Sequence, residues 1–239
     1  MKRIITEHTI RSGKIPEKLR LAVASDLHSG PYEELLDLFY GCDALLLPGD
    51  LVDRHRRDNR LAEQFLREVP EKVPVFFSLG NHEIKYRHSE DFLKKVMQSK
   101  VTLLRDRDTL FRGIRIGGLS SCRKGPPDLD FLDRFEKKNG FRLLMCHQPE
   151  VYLKYVSGRD IDFTVCGHAH GGQMEFFGRG LYAPGQGLFP KVTHGVHDHG
   201  KMMVSRGMTN GAKPRFPRFN NPCEVIVLKL EPTKEGTTG

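Results

Sequence analysis

No stretch of this 239-residue chain approaches the ~18 consecutive apolar residues that a membrane-spanning helix needs. The first residues, Met1-Lys2-Arg3-Ile4-Ile5-Thr6-Glu7-His8, turn polar at once. They lack the apolar core of roughly 7–15 residues that marks a secretory leader. These two absences place the expected location in the cytosol, with attachment to a membrane surface left open. Cysteine is sparse: Cys42, Cys122, Cys146, Cys166 and Cys223 are odd in number, widely spaced and without a C-x-x-C pair. Buried free thiols are expected rather than a disulfide framework or a thiolate zinc site. No period of roughly 20–50 residues repeats, which excludes a solenoid. No Ser/Gly linker divides the chain, so one domain over 1–239 is expected, with 230–239 as a flexible tail.

What is present is the balance of an ordinary globular protein, 38% hydrophobic and 28% charged, long enough to bury a sizeable core. Lysine and arginine exceed aspartate and glutamate, 38 to 30, for a net charge of +8. That excess favours anionic partners (nucleic acid, acidic membrane or a phosphorylated small molecule) and selects among none of them.

Apolar runs at Leu19–Ala24, Ala44–Leu47, Val73–Leu79, Phe141–Cys146 and Asp162–Cys166 read as strands. Further strands are expected near Val101–Leu104, Thr109–Ile116 and Cys223–Leu230. Amphipathic patterns predict helices over Tyr32–Tyr40, Asn59–Val69, Ser89–Gln98, Leu129–Lys138 and Glu150–Val156. Helices alternating with strands buried on both faces indicate an α/β protein.

Five of these strands run into polar clusters: Asp26/His28, Asp50/Asp53, Asn81/His82, His147 and His168/His170. In α/β sheets ligands bind at the carboxyl ends of strands, so the clusters are expected to converge. The mixture of carboxylates, one amide oxygen and several imidazoles suits Mn²⁺, Fe²⁺ or Zn²⁺ and is too nitrogen-rich for Ca²⁺. Asp26-x-His28 and His168-x-His170 are expected to aim both side chains the same way, since residues i and i+2 of a strand share a face. Seven candidate ligands exceed the need of one tetrahedral ion, so two ions are expected. Singly each cluster is ordinary: Asp50-x-x-Asp53 reads as a cap and Asn81 as a turn residue. It is their succession that points to a site.

Asp26-Leu27-His28, Gly49-Asp50-Leu51-Val52-Asp53, Gly80-Asn81-His82-Glu83, His147 and Gly167-His168-Ala169-His170 together resemble the calcineurin-like metallophosphoesterase signature, complete and in order. The run Gly167–Gln173, Val204-Ser205-Arg206-Gly207 and the Pro222–Leu230 ending resemble the branch of YaeI- and YkuE-like phosphodiesterases. The resemblance implies a four-layer α/β/β/α sandwich with two metals at the sheet edge. By motif position it implies Asp26, His28 and His170 on one ion, Asn81, His147 and His168 on the other, and Asp50 bridging both. It implies that His82 stays free of metal and is oriented by Asp53. Ala169 departs from the threonine that many relatives carry.

Two ions about 3.5–4 Å apart share a water, lower its pKa and present hydroxide in line with phosphorus. His82 would then protonate the leaving alkoxide. The expected substrate is a small phosphodiester or pyrophosphate, with Mn²⁺ the first candidate ion and iron, zinc or cobalt the others. The alternatives are a nuclease and a hydrolase of a nucleotide-lipid such as UDP-diacylglucosamine.

Several further groups bear on that choice. Arg54-His55-Arg56-Arg57 and Arg60 either face substrate anions or solvent. His194, His197 and His199 are expected on a solvated loop near the site's rim rather than as a third metal site. Lys213, Arg215 and Arg218 interleave with Phe216 and Phe219, which fits a nucleic-acid grip or, preferably, an extended edge segment with inward-packed aromatics. Phe176, Phe177, Leu181, Leu188 and Phe189 fit either a lipid-tail site or lid and core packing.

Overall fold

The structure is a computed structural model and describes residues 3–211 and 217–233. Its strands are β1 (Arg3–Ser12), β2 (Leu19–Val23), β3 (Ala44–Leu47), β4 (Val75–Phe77), β5 (Thr102–Leu103), β6 (Arg107–Phe111), β7 (Ile114–Leu119), β8 (Arg142–Cys146) and β9 (Phe163–Cys166). Two short hairpins follow, β10 (Glu175–Phe176) with β11 (Arg179–Gly180) and β12 (Tyr182–Ala183) with β13 (Gly187–Leu188). Then come β14 (Gly195–His197), β15 (Met202–Val204) and β16 (Cys223–Pro232). The helices are α1 (Leu36–Tyr40), α2 (Arg60–Glu68), α3 (Asn81–Lys85), α4 (Ser89–Gln98), α5 (Leu129–Phe135) and α6 (Pro149–Val151).

Two six-stranded sheets form, in the orders β1-β16-β2-β3-β4-β5 and β14-β15-β9-β8-β7-β6. Side chains alternate across each strand, and in the central strands both faces are apolar. Leu45 and Leu47 of β3 pack outward with Phe39, Phe65 and Phe92 of the helices, whereas Ala44 and Leu46 pack inward. On the other sheet Leu143 and Met145 of β8 face inward, towards Leu46 and Phe76, while Leu144 and Cys146 meet Phe131 and Phe135 of α5. Three hydrophobic layers therefore separate four structural ones: helices, sheet, sheet, helices. Each fully buried leucine or phenylalanine contributes roughly 1.5–3 kcal/mol to this sandwich. The α/β class and the four-layer architecture are those expected. All five cysteines are free, Cys122 alone being partly exposed.

Three differences from the expected elements have physical causes. Thr109–Ile116 is a hairpin rather than one strand, because Arg112 and Gly113 both take positive φ (45° and 82°) in the two-residue turn between β6 and β7. The polar amino-terminal run forms β1, which pairs in parallel with β16 over its whole length. The partner lies more than 200 residues away, so no local pattern announces it. β16 itself continues to Pro232 opposite Ser12, and Leu230 is fully buried. Leu230–Pro232, expected to begin the tail, are thus strand, and 234–239 lie outside the described residues.

Candidate metal centre

β2, β3 and β4 run parallel in one sheet and β7, β8 and β9 in the other, so the loops that leave them emerge at shared edges. The loops are laced together by backbone bonds: Asp26 N–H donates to Gly49 O (3.2 Å), His28 N–H to Asp50 O (2.9 Å) and Gly167 N–H to His147 O (2.9 Å). His168 N–H reaches the Asp26 carboxylate from the second sheet (3.1 Å). Such close approach depends on glycine. A Cβ at Gly49 (φ 98°) would lie 2.6 Å from the Gly80 Cα and 2.7 Å from His147 Nδ1.

Asp26, His28, Asp50, His168 and His170 all sit in the left-handed backbone region, with φ between 48° and 66°. Non-glycine residues there are uncommon and cost of order 1–3 kcal/mol each. This corrects the strand-alternation argument for Asp26/His28 and His168/His170. β2 ends at Val23 and β9 at Cys166, so left-handed turns, not the strand pleat, aim these side chains.

The structure brings all seven candidate ligands to one place and buries them. Asp26, His28 and His170 form one group: the two histidine Nε2 atoms are 3.3 Å apart, with Asp26 Oδ1 3.7 Å and 3.5 Å from them. Asp50, His147 and His168 form another. Asp50 Oδ1 accepts the His82 N–H (2.8 Å), which leaves Oδ2 to face the histidines. That oxygen is 3.1 Å from His147 Nε2 and 3.9 Å from His28 Nε2, so it touches both groups. His28, Asp50 and His82 also lie close enough to share an ion.

The donor set fits cations. His147 Nδ1 donates to Pro48 O (2.7 Å), which turns its Nε2 towards the Asp50 carboxylate, 3.1 Å away. Asn81 Oδ1 is buried without a hydrogen-bond partner. Burial disfavours a charged His147, but Asp50 overrides it and pushes the imidazole up to about 10. The space between them attracts positive charge. His168 and His170 are pushed down to about 3, foremost by burial, and stay neutral as ligands must. Burial would raise Asp50, yet the imidazoles of His147, His82 and His28 hold it below the usual carboxylate range.

His82 is partly open to a cleft of about 360 Å³ lined by His28, Asp50, Asn81, His168 and His170. Its Nδ1 accepts the Arg54 N–H (3.1 Å) and lies 3.3 Å from Asp53 Oδ1. Two groups rather than Asp53 alone therefore flank the ring. Accepting at Nδ1 places the proton of a neutral His82 on Nε2, the nitrogen on the Asp50 side, 4.0 Å from that carboxylate. Arg54 and His55 line the cleft, whereas Arg60 pairs with Asp58 on the surface.

The remaining groups divide. His194 and His197 do not converge: His197 Nε2 bonds His194 O (2.9 Å), and no metal-holding group among the described residues includes either of them or His199. Arg218 turns inward behind His170, with Nη2 3.3 Å from its Nδ1 and 2.6 Å from Arg206 O. Phe219 is 48% exposed and packs on Phe176 rather than inward, while Lys213, Arg215 and Phe216 lie outside the described residues. Phe176, Phe177, Leu188 and Phe189 are exposed, not core, and Leu181 is half-buried. Glu83 escaped sequence reasoning although it stands in the third motif. Its buried carboxylate accepts N–H groups from Asp50 (2.8 Å), Val52 (3.0 Å) and Gly80 (2.8 Å), and burial with the Asp50 charge pushes it up to about 7. The letters show an acid next to a histidine; only the fold shows that it clamps two loops.

Comparisons with known proteins bear on the family of the chain. The chain is 28% identical over 236 residues to an uncharacterized metallophosphoesterase of Campylobacter jejuni, covering 92% of this chain and 61% of that protein. It is 25% identical over 248 residues to another from Aquifex aeolicus, covering 95% and 91%. It thus spans less than two thirds of the first relative and nearly all of the second. The solved structure of TT1561 from Thermus thermophilus superposes with a TM-score of 0.45 at 16% identity, covering 62% of this chain and 81% of that one. Residues 19–172, well over half the sequence, match the profile of the calcineurin-like phosphoesterases, and the chain belongs to that family.

Proposed function

We propose that this chain is a dinuclear metal-dependent hydrolase of phosphoric esters, acting on a phosphodiester or pyrophosphate. The observation that carries the reading is the single Asp50 carboxylate oxygen lying between two buried groups of ligating atoms. Asp26, His28 and His170 would hold one ion, Asn81, His147 and His168 the other, with Asp50 common to both. Divalent ions bound there supply Lewis acidity and an attacking water of lowered pKa. The chain's own residues do the rest. His82 would give a proton from Nε2, the nitrogen on the Asp50 side of the cleft, to the leaving alkoxide. Asp53 and the Arg54 backbone fix the ring's orientation. Arg54 and Lys85, on the cleft wall, attract the anionic substrate. Mn²⁺ is the first ion to try, since the donors are oxygens and imidazoles without thiolate.

The test is hydrolysis of bis-p-nitrophenyl phosphate against the monoester, with added Mn²⁺ and with chelator. Metal-dependent turnover favouring the diester is expected. A protein that binds no metal at all would overturn the reading. A second reading, a nucleotide-lipid met at a membrane surface, is favoured by the exposure of Phe177, Leu188 and Phe189 in the hairpin region whose Tyr182, Pro184 and Gly185 line the cleft. Absence of co-sedimentation with anionic vesicles at low salt would remove it.

A further inference from the structure

The two groups of ligating residues differ in charge. The first has a carboxylate of its own, Asp26, besides the shared Asp50; the second combines Asp50 with Asn81, His147 and His168, none of which carries a negative charge. An acid that none of the five motifs contains stands beside this second group. Glu150, at the second position of α6, follows His147 by three residues and lines the same cleft. Its Oε1 is 3.4 Å from His168 Nε2 and accepts from Gln148 Nε2 at 3.2 Å. Its Oε2 is buried and has no hydrogen-bond partner.

The opposing hairpin keeps the carboxylate in place. Gly185, between β12 and β13, turns with φ 76° directly against Glu150, and a Cβ there would overlap Oε1. A buried carboxylate oxygen without a partner is costly unless a donor or a cation completes it. Carboxylates that contact a metal-binding histidine commonly fix its ring and raise its basicity.

We propose that Glu150 belongs to the second metal site as a positioning residue: it orients His168 and adds the negative charge that this half of the centre lacks. The inference rests on the dinuclear reading above and extends it to a residue outside the motifs. Its consequence is selective. Neutralising Glu150 weakens the second ion and leaves the Asp26/His28/His170 ion untouched.

The experiment compares the wild-type protein with Glu150→Gln, which keeps the side chain's shape and an oxygen for Gln148. Both are stripped with chelator and titrated with Mn²⁺, following stoichiometry and affinity by calorimetry and by metal analysis after desalting. The wild-type protein is expected to take up two ions. Glu150→Gln is expected to retain one at unchanged affinity and to bind the other roughly 10–100-fold more weakly, the loss typical of a missing outer carboxylate. The thermal midpoint of the metal-free variant should match that of the wild-type protein, which separates this role from a structural one. Two ions bound by the variant at wild-type affinity would overturn the proposal, as would equal weakening of both. A wild-type protein that takes up no ion overturns the dinuclear reading itself, so the two failures are distinguishable.

Discussion

The strand-end loops and the glycine-rich stretch from Gln173 to Gly200 look alike as sequence, both dense in glycine, histidine and charge. Folded, they are opposites. Asp26, His28, Asp50, Asn81, His147, His168 and His170 are all buried, whereas Phe177, Leu188 and Phe189 stand in solvent. Backbone strain does not separate them: Phe177, Phe189, Asp198 and His199 have positive φ as do Asp26 and Asp50. What separates them is what the strain accomplishes. In the strand-end loops, left-handed turns are locked by backbone bonds across two sheets and aim ligating atoms at common points. In the later stretch Phe177 turns the β10–β11 hairpin and Asp198 and His199 join β14 to β15, and these turns bring no group of ligating atoms together among the described residues. An unusual φ indicates function when buried polar atoms converge on it, not by itself.

The sharpest way to break this contrast is at the convergence point. His82→Ala should retain both metals, measured by metal analysis, and lose roughly 10²–10⁴-fold in kcat on a diester, the usual contribution of a positioned acid. Loss of metal in parallel would show that His82 is a ligand, as its proximity to His28 and Asp50 permits. Next in size is the clamp beneath the site. Glu83→Ala strands three buried N–H donors, those of Asp50, Val52 and Gly80. It should destabilise the fold by several kcal/mol in urea titration, at about 1–3 kcal/mol per unsatisfied group. A change under about 1 kcal/mol would mean that water replaces the carboxylate. Smallest is the exposed stretch. Phe177→Ser with Phe189→Ser should shift stability by no more than about 0.5 kcal/mol, as surface substitutions do. A larger loss would show that these rings are packed, against the contrast drawn here.

Local order was legible wherever the cause is local. Leu19–Ala24, Ala44–Leu47 and Phe141–Cys146 read as buried strands because their runs are predominantly apolar, and β2, β3 and β8 form there; α4 matches its expected span because its amphipathic pattern is clean. The seven candidate ligands were legible because residues of those types seldom follow five strands in succession. β1 was not, since its half-exposed residues resemble any polar run and its partner is at the far end of the chain. Glu83 was legible as a charged residue and not as an interior one, nor was Arg218 as one whose guanidinium turns towards His170, because the placement of a charge depends on partners that folding supplies.

Sequence by itself determined the class of the fold, the succession of strand-end motifs and the chemical character of the donors, because hydrophobic period and residue type are carried residue by residue. Tertiary structure alone decided that one oxygen of Asp50 touches both groups and that Glu83 clamps the loops. It also decided that Glu150 lies beside His168 and that the later phenylalanines face solvent. The contacts of Asp50 and of Glu150 depend on loops from different strands, of one sheet or of both, meeting at distances of about 3–4 Å, and such distances follow only once the strand pairing has set where each loop begins.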